Sequence, residues 1–194
     1  MQGLEITESK ETFESWLAKG FVPEDLKDIL SRASILIVPF ENLRETPKPL
    51  FPIGTEDILR YFKENLPPGE IIDICISDED YQEFAFYNDY KRLGNFVIKN
   101  VAIPVFVTIF SSYVYDKFIN NDDSKPQIQI IDKSTRKEVN NHISTLTDKK
   151  YLEPTHITFT VTIVDSLGAS KNIKYEGPAK GIDNVLQSLK KYEK

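Results

Sequence analysis

Along this chain the apolar residues recur at helical spacing, at alternate positions or in unbroken runs, and each switch of pattern predicts an element. Helical spacing prevails up to residue 33. In "SKETFESWLAKG" Phe13, Trp16 and Leu17 share one face, Ser9 stands where an N-cap would, and Gly20 supplies a stop. "VPEDLKDILSRA" carries the stripe Leu26, Ile29 and Leu30, with Pro23 in a first-turn position and acids beside it that suit the helix dipole. A hairpin of two short helices is expected.

An unbroken apolar run, "SILIVPF" (34–40), predicts a strand buried on both faces and ended by Pro39. The loop "ENLRETPKPLFPIG" follows, with three prolines. "TEDILRYFKENLPPG" predicts a helix with Thr55 as N-cap, Ile58, Leu59 and Phe62 facing inward, and Pro67-Pro68-Gly69 as its end. "EIIDICI" (70–76) predicts a second strand. In "SDEDYQEFAFYNDY", Ser77 with Asp80 three positions on resembles a capping box and predicts a third long helix. The order strand, helix, strand, helix favours a parallel strand pair with a crossover helix.

The C-terminal part has another grammar. "QIQIID" (127–132) predicts a short strand. "HITFTVTIVD" (156–165) alternates, with Ile157, Phe159, Val161 and Ile163 on one side and His156, Thr158, Thr160 and Thr162 on the other, which predicts a strand with one wet face. "KNIKYEG" returns antiparallel after the turn "SLGAS", and a terminal helix follows on Ile182, Val185, Leu186 and Leu189. The expected fold is α+β: an N-terminal α/β subregion (1–92), a central apolar helix (93–119), and a C-terminal hairpin plus helix (120–194).

"VAIPVFVTIFSSYVYDKF" (101–118) is the most apolar stretch, without a charge from Val101 to Tyr115. Crossing a bilayer takes about 20 apolar residues, and this run has fifteen. Ile103, Phe106, Val107, Phe110, Tyr113, Val114 and Phe118 form a wide stripe, the profile of a core helix, with Pro104 early enough to set its start. A membrane-inserted helix, a strand pair and a partner-covered surface are the alternatives.

Composition narrows the classes. Hydrophobic residues at 40% and charged residues at 28% are globular values. A net charge of -6 argues against nucleic acid and against attachment to anionic lipid through charge. The single cysteine, Cys75, allows no internal disulfide, which suits a reducing cytoplasm, and the acidic N-terminal segment is unlike a secretory signal.

Candidate chemistry is sparse. Eight glycines include no phosphate-loop or dinucleotide spacing, and His142 and His156 lie too far apart in sequence for a zinc motif. Gly54 and Thr55 at a helix start offer free N–H groups to an anion, with an ordinary cap as the simpler account. Asp73, Asp78 and Asp80, around the end of a strand, are candidate ligands for a divalent metal, although a helix N-terminus, which prefers acids there, is the simpler account of the last two. Glu41, Asn42, Arg44 and Phe51, in the loop after the first buried strand, are candidate binding residues, because ligand sites gather outside strand C-termini. Phe106, Phe110 and Tyr113 join them as an aromatic face for a partner. No catalytic constellation and no cofactor is expected.

From residue 93 onward, "NFVIKNVAIPVFVTIFSSYVYDKF", the paired strands "HITFTVTIVDSLGASKNIKY" and the terminal helix "GPAKGIDNVLQSLKK" succeed one another, the last opening on Tyr175, Gly177 and Pro178 as Y-x-G-P. In this order the half-chain resembles the small effector-associated components encoded beside bacterial immunity and conflict effectors. The resemblance implies a non-catalytic, cytoplasmic partner or adaptor and carries over no functional residue. The expected function is therefore a non-enzymatic interaction or ligand-sensing component acting with a partner protein, or with further copies of itself, in bacterial defence. The alternatives are a metal-assisted hydrolase or small-ligand enzyme on Asp73, Asp78 and Asp80, and an effector inserted into a membrane through residues 96–115.

Overall fold

Ile35 to Val38 are all buried, and because successive strand side chains point to opposite faces, these four residues feed two cores. Ile35 and Ile37 join Phe62, Phe96 and Phe159 on one side; Leu36 and Val38 join Phe13, Trp16 and Leu30 on the other. The computed structural model describes residues 3–41, 48–85, 90–120 and 154–193. Its elements in chain order are β1 (Gly3–Ser9), α1 (Phe13–Leu17), α2 (Glu24–Arg32), β2 (Ile35–Val38), β3 (Phe51–Pro52), α3 (Thr55–Asn65), β4 (Ile72–Ile74), β5 (Glu83–Phe84), β6 (Tyr90–Lys99), α4 (Ile103–Val114), β7 (His156–Val164), β8 (Ser170–Pro178) and α5 (Ile182–Leu189).

The fold is α+β, as expected. Six strands form one mixed sheet in the order β1-β8-β7-β6-β2-β4, while β3 and β5 pair separately. β2 and β4 are parallel with α3 between them in the chain, the crossover that their order predicts. A second parallel pair, β6 with β7, has α4 between its strands. β7 and β8 form the expected antiparallel hairpin, whose turn is held by the Asp165 carboxylate accepting from the Leu167 and Ala169 N–H groups, both at 2.9 Å. α3, α4 and α5 cover one face of the sheet, and α1 and α2 cover the other beside β2 and β6. Strands from either side of residues 93–119 lie in this one sheet.

Several expected elements take another form. Residues 3–9 are a strand along the edge of the sheet, and Thr12 rather than Ser9 caps α1, exchanging side-chain bonds with Ser15. The alternation in "LEIT" is satisfied by β8, more than 160 positions downstream, a partner that a local window does not contain. Residues 93–99 are strand, not the first turns of an apolar helix; α4 begins only at Ile103, after a short turn over Asn100–Ala102, with Pro104 in its first turn. Pro104 has no N–H to donate, so a helix starts there at little cost. Gly94, at φ 110, marks a bulge in β6 where the register against β7 shifts.

The long helix expected after Ser77 is absent from the described residues. Ser77 and Asp80 do pair, the Ser77 hydroxyl donating to the Asp80 carboxylate at 3.2 Å, but they close a turn that leads into β5. β7 was expected to have one wet face, yet Thr158 and Thr162 are buried, set in register between Arg92 and Glu176 and between Val97 and Asn172. The strand expected at 127–132 lies outside the described residues. α5 buries Ile182, Val185, Leu186 and Leu189, the stripe that its sequence predicts.

Candidate functional site

The aromatic face of α4 is covered by this chain itself. Phe106 and Phe110 stack at 5.1 Å between ring centroids; Phe96 meets them edge-on at 5.2 and 5.3 Å, and Phe62 of α3 closes the cluster. Tyr113 lies edge-on to Tyr61 at 5.3 Å, and burial pushes its phenol up to about 12. Phe106, Phe110 and Tyr113 are thus core residues, which corrects their reading as a face presented to a partner.

The loop candidates separate. Glu41 is exposed and pairs with Lys19, whose ammonium lies 3.8 Å over the Trp16 ring. Asn42 and Arg44 lie outside the described residues. Phe51 is fully buried against Tyr81, 5.0 Å between centroids, so it belongs to the core and not to a binding loop.

The acidic candidates do not converge. Asp73 accepts from the Ile74 N–H at 3.0 Å and pairs with Lys63 at 3.2 Å. Asp80 is engaged with Ser77, and Asp78 is exposed in the same turn. Among the described residues no three His, Cys, Asp or Glu side chains are grouped to hold a metal ion. The metal reading of Asp73, Asp78 and Asp80 loses its geometric basis because two of the three carboxylates already have local partners.

The helix start near Gly54 does bind an anion, and the anion is internal. The Glu83 carboxylate accepts from the Gly54 and Glu56 N–H groups, both at 3.1 Å, at the positive end of the α3 dipole. Gly54, at φ 93, occupies the cap position expected of Thr55, whose hydroxyl donates instead to the Pro52 carbonyl at 2.7 Å. Tyr81 donates to Glu83 at 2.6 Å; burial first, then Glu83, pushes its phenol upward. Cys75 is buried, and burial raises its thiol to about 12, far from a reactive thiolate. His156 is half-buried edge-on to Tyr90.

The feature that sequence reasoning missed is β1. It is a terminal strand of the sheet, with six of its seven residues exposed, and among the described residues nothing pairs with its outer edge. Leu4 and Ile6, 41% and 44% exposed, stand in register with buried Tyr175 and Ile173, so the apolar face of the sheet continues onto β1. On its other face a shallow hollow opens beside Gly3, bordered by Glu5, Lys174 and Glu176. The signal was the alternation Leu4, Glu5, Ile6, Thr7 itself.

The Y-x-G-P motif has a structural account. The Tyr175 hydroxyl crosses Gly177 to donate to the Pro178 carbonyl at 2.9 Å, and a Cβ on Gly177 would stand 2.7 Å from that hydroxyl. The motif therefore locks the join between β8 and α5. Compared with protein-family models, with curated proteins and with solved structures, the chain finds no match.

Proposed function

We propose that this chain is a non-enzymatic interaction component that works with a partner protein, and that β1 is the edge by which it does so. The observation that carries the reading is the strand's outer edge, unpaired among the described residues, beside two half-exposed apolar side chains, Leu4 and Ile6. A sheet edge with free backbone donors and acceptors is a template for an added strand, and native chains blunt or cover such edges when they are not used. Glu83 serves as a helix cap, Asp80 closes a turn, and Asp73 and Glu41 pair with lysines. The resemblance of the sequence from residue 93 onward to effector-associated components makes an effector the class of partner to try first.

The test is reconstitution with a partner captured from native lysate and then purified. Leu4→Lys with Ile6→Lys should abolish the complex while the circular dichroism of the chain is unchanged. A chain that stays alone and monomeric at every concentration, or a complex indifferent to this double substitution, overturns the reading.

A second reading has one observation in its favour. The helical run Asn100–Ile119 is long and apolar enough to cross a membrane by length and composition. Insertion would require α4 to leave the sheet that covers it, so the protein should float with liposomes only under conditions that unfold its core.

A further inference from the structure

We infer that the occupant of β1 is an extended segment of a partner protein in which apolar residues alternate with lysine or arginine, an inference that rests on reading β1 as the contact edge. The backbone of β1 supplies hydrogen bonds to any strand, so selectivity must come from side chains, which in an added strand point alternately to the two faces of the sheet. On one face the incoming residues meet Leu4 and Ile6, behind which Tyr175 and Ile173 are already buried. Apolar side chains at alternate positions would complete that face.

On the other face they meet charge. Gly3 has no side chain and stands in register with Glu176, which leaves the hollow bordered by Glu5, Glu176 and Lys174. Two carboxylates face one ammonium there, and Lys174 is drawn towards Glu176 at 3.8 Å. Glu8, on the apolar face, pairs with Lys171 at 3.4 Å and is itself largely exposed. The edge thus has three carboxylates to two lysines, within a chain of net charge -6. An arginine or lysine laid across Gly3 reaches both Glu5 and Glu176, whereas an acidic segment meets an uncompensated carboxylate.

The same charges disfavour a second copy of this chain. Antiparallel pairing of β1 with itself that sets Leu4 against Ile6 places Glu5 directly opposite Glu5 of the other copy. Shifting the register by two to centre on Ile6 sets Glu8 against Leu4. Like charges directly opposite each other destabilise the first register, and the second sets a carboxylate against an apolar side chain, so neither matches the edge as an apolar and basic strand does.

The experiment uses the full chain and three short capped peptides: alternating valine and lysine, alternating valine and glutamate, and the valine–lysine peptide with its central valine replaced by proline. Anisotropy is read at physiological ionic strength, where diffuse charge attraction is screened, together with amide hydrogen exchange over residues 3–9. The valine–lysine peptide should bind about tenfold or more tightly than the other two and slow exchange in β1, and Glu5→Lys with Glu176→Lys should reverse the preference between lysine and glutamate peptides. Equal binding of the lysine and glutamate peptides, binding of the proline peptide as tight as its parent, or self-association through β1 seen by light scattering overturns the inference. If the captured partner still requires Leu4 and Ile6 while the peptides show no charge preference, the partner's chemistry is wrong but the contact edge stands. If neither holds, both fail.

Discussion

The ring of Phe110 meets that of Phe159 edge-on, with 4.9 Å between centroids, and so ties α4 to β7, the strand between β6 and β8. Phe110 also contacts Phe62, Phe96 and Phe106, so its removal would leave a void bounded by two helices and the sheet. Phe110→Ala should destabilise the protein by about 3–5 kcal/mol. Urea unfolding checks this, with Phe110→Leu losing less because its side chain refills part of the void.

Gly177 leaves room for the Tyr175 phenol. Gly177→Ala puts a methyl group 2.7 Å from the Tyr175 hydroxyl and 2.9 Å from its ring carbon, so the ring must move and its bond to the Pro178 carbonyl must break. A cost of about 1–3 kcal/mol is expected. Tyr175→Phe removes the bond alone and should cost about 1 kcal/mol. The double variant should cost less than the sum of the two, since both act on one contact; denaturant midpoints test this.

Glu83 caps a helix from 27 positions away. Glu83→Ala exposes the first N–H groups of α3 and should lower stability by about 1 kcal/mol. Glu83→Gln should lose less, because an amide oxygen still accepts one of the two bonds. Thermal unfolding of the three proteins orders them.

The buried Cys75 thiol gives an alkaline signature. Its ordinary value of 9.0 is raised to about 12 by burial, so between those pH values the unfolded chain has lost a proton that the folded chain keeps. The folded state then binds more protons, and stability falls as pH rises through the window; below it the contribution is complete. Tyr113, raised from 10.0 to about 12, adds to the fall from pH 10 upward. Cys75→Ala should move the onset of alkaline destabilisation from near pH 9 to near pH 10. At neutral pH the native thiol should react with a disulfide reagent only as fast as the protein opens.

Local patterns determined much of this molecule. The stripes of α3 and α5 and the double burial of β2 follow from spacing alone, because a helix or strand shows its neighbours a fixed set of positions, whereas of the α2 stripe Leu30 is buried and Ile29 is left 44% exposed. The parallel pairing of β2 with β4 followed from element order. The apolar run of 101–118 was legible as a core helix by its stripe, but not by its boundary, since "NFVIK" suits either a helix or a strand until β2 and β7 flank it.

What the tertiary structure decided were the cases in which a distant partner outweighed a local signal. Ser77 and Asp80 form their capping pair and still no helix follows among the described residues, because the Glu83 carboxylate goes to the start of α3 and the Gln82 carbonyl accepts the Phe51 N–H. Phe51, in a proline-rich stretch that reads as a binding loop, is carried inside by the same small sheet. Residues 3–9 become a strand because β8 offers them a partner, and among the described residues they end the sheet. A sequence window holds the propensity of a segment but not the identity of its partner, and backbone hydrogen bonds go to whichever partner the assembled fold brings within reach.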